Sequence, residues 1–114
     1  MIFISYSWRD SHLARLMERR LSEAGKRVWI DYRFLDLSHP LESQIRSAVE
    51  AASQLLIIDS SHARASSWVQ FELSWALHTG VPLVGLHVRQ QELNGRPNWT
   101  FHPTAAVAIL CARG

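Results

Sequence analysis

Cysteine is nearly absent: Cys111 is the only one in 114 residues. An intramolecular disulfide and a cysteine-built zinc site are therefore both excluded. Lysine is just as scarce. Lys26 stands alone, and arginine supplies the rest of the 12 cations. The formal net charge is only +2, too slight a balance to point to nucleic acid. No stretch of about 18 apolar residues occurs, so no membrane-spanning helix is expected. Six histidines are present, scattered without metal-ligand spacing, and no metal site is expected. His39, His62 and His102 fall in loop-like sequence and are expected at the surface. Repeats, low-complexity tracts and linkers are missing as well.

What is present suits one folded domain over residues 1–114: 47% apolar and 19% charged residues. The chain enters strand-like sequence at once, at Met1-Ile2-Phe3-Ile4, which leaves no room for a signal peptide; a cytoplasmic location is expected.

Strand-like and helix-like segments alternate. Ile2-Phe3-Ile4-Ser5-Tyr6 is a short strand. Asp10 or Ser11 caps a helix bearing Leu13, Leu16, Met17, Leu21 and Ala24, with Gly25 as its stop. Arg27-Val28-Trp29-Ile30-Asp31 is a second strand. Pro40 suits the first turn of a helix with the stripe Leu41, Ile45, Ala48, Val49 and Ala52. Residues 54–59 enclose Leu55-Leu56-Ile57-Ile58, an apolar run that implies burial on both faces, as in a parallel sheet. Ser67 and Gln70 form a capping box for a further helix that ends at Gly80. Residues 81–88 are a fourth strand, 89–104 are polar and loop-like with a turn at Asn94-Gly95, and 105–110 are a fifth strand. Alternation of this kind predicts right-handed crossovers and a parallel sheet with helices on both faces.

Glu72 lies in Ser67-Trp68-Val69-Gln70-Phe71-Glu72-Leu73-Ser74-Trp75-Ala76. Trp68, Val69, Trp75 and Ala76 are its neighbours one turn away, so a carboxylate interrupts an apolar stripe. Either it is an acid at the rim of the core, partnered by an arginine, or it is held in a cleft for chemistry. Ligands of such sheets bind beyond the carboxyl ends of the strands. The loops 5–10, 31–39 and 59–67 should converge there, and the third leads directly into the Glu72 helix.

These residues carry a family resemblance. Phe3-Ile4-Ser5-Tyr6-Ser7 with Arg9-Asp10 resembles the first motif of TIR (Toll/interleukin-1 receptor) domains. Val28-Trp29-Ile30-Asp31 resembles the strand leading into the family's BB loop. Ile45-Arg46-Ser47-Ala48-Val49 and Leu56-Ile57-Ile58-Asp59-Ser60 resemble its second helix and third strand. Trp68-Val69-Gln70-Phe71-Glu72 resembles the Trp-x-x-x-Glu motif of the members that degrade NAD. The resemblance implies a flavodoxin-like α/β fold with a five-stranded parallel sheet. It also implies cleavage of the nicotinamide–ribose bond of NAD+ by Glu72, with NAD+ as substrate and no cofactor. Self-association through TIR–TIR contacts, in an immune or cell-death response of bacterial type such as anti-phage defence, goes with that activity.

By the same resemblance the loop of Tyr6, Ser7, Trp8 and Arg9 contacts the nicotinamide ribose or the phosphates. Trp8 would stack on a base and Arg9 would pair with the pyrophosphate; the alternative is a lid-packing tryptophan and a solvent-exposed arginine. Asp31 matches the acid that ends the family's second strand, or it caps the loop. Arg33 would touch substrate or a neighbouring subunit, and Phe34, Leu35, Asp36 and His39 form the assembly loop. Trp68 is a pocket wall or a core residue; Trp75 is expected in the core.

Two departures stand out. Asp36-Leu37-Ser38-His39-Pro40 lacks the glycine common in the BB loop. The family's last helix has no counterpart, so the 105–110 strand should expose Ala105, Val107 and Ile109, or their alternates, to another subunit, polypeptide or domain. Two other functions stay open: a non-catalytic TIR scaffold, and a nucleoside glycosyl-transfer enzyme of flavodoxin-like fold.

Overall fold

The computed structural model describes residues 1–31, 38, 40–105 and 109. Five strands form one sheet: β1 (Ile2–Ser5), β2 (Val28–Trp29), β3 (Gln54–Asp59), β4 (Leu83–Leu93) and β5 (Arg96–Thr104). Their order is β2-β1-β3-β4-β5. The first four run parallel; β5 runs antiparallel to β4. Four helices are described: α1 (Ser11–Glu23), α2 (Leu41–Ala51), α3 (Ser61–Ala65) and α4 (Ser67–Thr79).

Side-chain alternation along β1 divides the core in two. Phe3 packs with Ile45 and Val49 of α2, with Leu55 and Ile57 of β3, and with Val69, Leu73 and Ala76 of α4. Ile4 packs on the other face with Ala14 and Met17 of α1 and with Ile30, Leu56 and Ile58. Helices thus cover both faces, and Leu55 to Ile58 are buried on both, as the unbroken apolar run requires.

The fifth strand departs from the sequence reading. It is not 105–110 but 96–104, and it is antiparallel. Asn94 and Gly95 both have positive φ, 54° and 75°, the geometry of a two-residue hairpin turn. Leu93 and Arg96 flank that turn as a pair, and pairing continues to Gly85 and Thr104. Counting from the turn, Pro97 and Pro103 fall at positions whose backbone points away from β4. Neither needs an amide hydrogen there, so both are tolerated in an edge strand. The carbonyl of Trp99, on the same edge, accepts a hydrogen bond from Arg20 of α1 at 3.0 Å. His102 accordingly lies in a strand, half-buried and 2.9 Å from the Thr100 hydroxyl, not in a surface loop.

The expected open face is also corrected in part. Ile109 has helical backbone and is fully buried in the α2–α4 core. Ala105 is exposed, and Val107 lies outside the described residues.

Ser66, not Ser67, caps α4: its hydroxyl accepts from the Val69 amide at 3.2 Å. Gln70 completes no capping box. Its side-chain amide donates instead to the carbonyls of Arg64 and Ile109. Replacing Ser66 by Ala leaves the Val69 amide without its acceptor and should lower stability by about 1 kcal/mol, read from urea unfolding. Gly80 ends α4 in the left-handed region, φ 80°.

Candidate active site

β1 ends at a position where alternation aims consecutive side chains at opposite faces of the sheet. Ser5, on the Phe3 side, points toward α4. Its hydroxyl donates to Oε1 of Glu72 at 2.8 Å. Tyr6, on the Ile4 side, packs with the α1 core, and its hydroxyl donates to Oδ1 of Asp31 at 2.5 Å. One short stretch of chain therefore grips two carboxyl groups, one arriving from α4 and one from the end of β2.

Glu72 is 5% exposed. Among the described residues it has no arginine partner. Burial pushes its carboxyl up from an ordinary 4.5 to about 8; the Ser5 hydrogen bond opposes this and the nearby Asp31 charge adds to it. At pH 7 the site thus holds a neutral acid. Asp31 is half-buried and likewise has no cationic partner among the described residues. Among the described residues, only neutral hydroxyl donors hold these two carboxyl groups.

The flanking loops are tied down around this pair. Ser7 is buried and accepts from the Arg9 amide, capping the 3-10 turn Trp8–Asp10. Asp10 is buried and accepts from the Ser60 hydroxyl at 2.5 Å, which joins the loop after β1 to the one after β3. Asp59, at the end of β3, takes a two-pronged contact from Arg64 of α3 at 2.9 and 3.0 Å. That guanidinium holds the Asp59 carboxyl below its ordinary range, against the opposing effect of burial. Arg64→Met should therefore destabilise the fold by roughly 1–3 kcal/mol, because it leaves a buried carboxylate unpaired. Urea unfolding at pH 7 checks this, and the deficit should shrink as the pH falls below 4.

The other sequence-nominated residues are distributed unevenly. Trp8 is 75% exposed, with the Arg9 guanidinium 4.9 Å from its ring centre. Neither is packed as a lid, and both face solvent at the mouth of the loop. Trp68 is 48% exposed with its ring edge-on to Phe71, so it is not a core residue. The buried side of α4 is Val69, Gln70, Glu72, Leu73 and Ala76; Trp68, Phe71 and Trp75 form an outer aromatic row. Trp75 packs against the core edge and donates to Glu50 at 3.2 Å. Arg33, Phe34, Leu35, Asp36 and His39 lie outside the described residues. His62 is exposed, in α3. Ser5 was missed as a site residue. Only its parity with Phe3 on β1 hinted that it faces the Glu72 helix. Among the described residues no cluster of histidine, cysteine and carboxylate side chains could hold a metal ion.

Parallel strands in the order β2-β1-β3-β4, with helices on both faces and polar side chains gathered at the strand ends, define a flavodoxin-like α/β domain. A family model for the TIR domain matches residues 2–108. The chain belongs to the TIR domain family. It is similar to the TIR domains in the structure of the activated Roq1 resistosome directly recognizing the pathogen effector XopQ. That match has a TM-score of 0.66 and 18% identity, and covers 75% of this chain. The chain spans 55% of the length of that one, and the likeness concerns the fold. No curated protein matches the sequence. No described helix is long and apolar enough to cross a membrane.

Proposed function

We propose that this TIR domain cleaves the bond between nicotinamide and ribose in NAD+, with Glu72 as the catalytic carboxylate. The observation that carries the reading is the buried Glu72 beside Asp31, without a positive partner among the described residues. Such a site favours a cation. NAD+ brings one in its pyridinium ring, and a second develops at the ribose when the ring departs.

The chemistry balances without a general acid. The C1′–N bond breaks and its electron pair goes to the ring nitrogen, which leaves as neutral nicotinamide. The ribose C1′ becomes oxocarbenium-like, and the Glu72 carboxylate stabilises it as carboxylates do in glycoside hydrolysis. Water then adds at C1′ and loses a proton, giving ADP-ribose; attack by the adenine of the same molecule gives a cyclic product. A pyridinium beside Glu72 also lowers the affinity of the carboxyl for its proton. Substrate binding therefore converts the resting neutral acid into the working anion. The domain has no need of a cofactor on this route, and NAD+ is consumed as substrate. Incubating concentrated protein with NAD+ and resolving nicotinamide, ADP-ribose and cyclic products by mass tests the reading.

A second reading is a scaffold that works through TIR–TIR contacts, and one observation favours it. Trp8 and Trp68 are exposed, and aromatic side chains are enriched at interfaces. Self-association, in an immune or defence response inside the cytoplasm, is compatible with both readings. Trp68→Ala should weaken association in light scattering. Under the scaffold reading alone, it should do so with no NAD+ turnover to lose.

A further inference from the structure

We propose that Ser5 is the positioning residue for Glu72: its hydroxyl fixes the carboxyl rotamer and leaves Oε2, which has no donor among the described residues, to meet the substrate. The inference rests on the reading of Glu72 as the catalytic carboxylate and adds a residue to it.

Ser5 itself is fully buried, so it acts through Glu72 and not on substrate. By alternation it shares a face of β1 with Phe3, it pairs with Ile57 of β3, and no other described residue donates a hydrogen bond to the Glu72 carboxyl. Ser5 is therefore the sole described donor to the Glu72 carboxyl. Position explains why. β1 pairs through Ser5 with Ile57 of β3, so the backbone beneath the hydroxyl is held on the sheet. A donor on a strand is located better than one on a loop. The Ser5 hydrogen bond also favours the ionised form of Glu72, against burial and against Asp31. Among the described charged groups near the strand ends, Asp31 is the one that acts on Glu72. Asp59 is engaged by Arg64, and Asp10 by Ser60. Loss of the Ser5 hydroxyl should thus have two linked effects, a misplaced carboxyl and one harder to ionise.

The test uses Ser5→Ala, with Ser5→Thr to restore the hydroxyl and Ser5→Cys as an isosteric weak donor should Ala fail to fold. Nicotinamide release is measured against pH for each. Ser5→Ala should lose roughly 10–100-fold in kcat with KM changed little, since small misplacements act on the reacting geometry. Its kcat/KM should begin to rise at a higher pH than in the parent, and Ser5→Thr should return most of the rate. A readout that needs no turnover is the carboxyl carbon shift of Glu72 followed by NMR titration. Its midpoint should move upward in Ser5→Ala, and in Ser5→Cys to a lesser extent. An unmoved or lowered midpoint overturns the proposal, as does a folded Ser5→Ala with the parent rate and pH profile. A fully active Glu72→Gln would remove the catalytic reading instead, and the titration would still decide whether Ser5 controls Glu72.

Discussion

Glu72→Gln is expected to abolish nicotinamide release while leaving the domain folded. The amide has nearly the shape of the protonated acid present at pH 7, and its oxygen can still accept from Ser5 at the position of Oε1. Folding therefore senses almost no change at that pH. Catalysis senses a large one, because an amide cannot take on the negative charge that faces the ribose cation. Loss of a preorganised electrostatic partner typically lowers kcat by about 10²–10³-fold. Mass-resolved product analysis, with the melting temperature measured on the same sample, checks both halves. A well-folded Glu72→Gln that turned over NAD+ at the parent rate would remove Glu72 as the catalytic carboxylate, whereas a parent with no turnover at all would leave the scaffold as the better account. The next measurement would then be association of the Trp68→Ala variant.

The second large effect concerns stability and needs no substrate. A carboxyl whose affinity for protons rises on folding contributes stability that is complete below its unfolded value, near 4.5, and is lost as the pH climbs through about 8. Over that window the folded chain binds more protons than the unfolded one, so stability must fall with rising pH. The size is on the order of 5 kcal/mol at most, since a tenfold change in proton affinity is worth about 1.4 kcal/mol. Asp59 acts with the opposite sign. Its carboxyl is held low by Arg64, so its contribution is present above an ordinary 3.8 and disappears on further acidification. The melting temperature of the parent should therefore be highest near pH 5 and decline toward pH 9, both values being approximate. Glu72→Gln should flatten that decline and exceed the parent in alkali. Parallel curves for the two proteins across that range would show that the burial of Glu72 has no energetic weight.

The elements most legible in the sequence were those with a single dominant cause. The run Leu55-Leu56-Ile57-Ile58 can be covered only between two helix layers, so β3 appears at Gln54–Asp59 as expected. Gly80 supplies the positive φ that ends α4, and the stripe of α2 matches its buried residues Ile45, Ala48 and Val49. β5 was hidden because two prolines and many polar residues look like a loop. A proline disqualifies a strand only where its missing amide would have been used, and that depends on which edge is free. The short helix α3 was hidden for a related reason. Its cap, the Ser60 hydroxyl accepting from Ala63, serves a helix too short to show a periodic stripe.

The site divides the same way. Sequence alone determined the topology class, the TIR resemblance, and the nomination of Glu72 as an acid on a helix that must pack. These follow from local periodicity and from residue order, which need no knowledge of distant contacts. Which flank of that helix is buried was a tertiary decision: α4 turns Val69, Leu73 and Ala76 inward and leaves Trp68 at the surface, because α2 and the sheet contact only that side. The partner of Glu72 was tertiary as well. Ser5 is 67 residues away along the chain and meets it only because β1 lies inside the sheet with its Phe3–Ser5 face beneath α4. The absence of a countercharge among the described residues, the proximity of Asp31 and the resulting neutral acid all come from that packing. Hydrogen-bond partners and burial depend on three-dimensional distance, and residue order constrains that distance only through the completed fold.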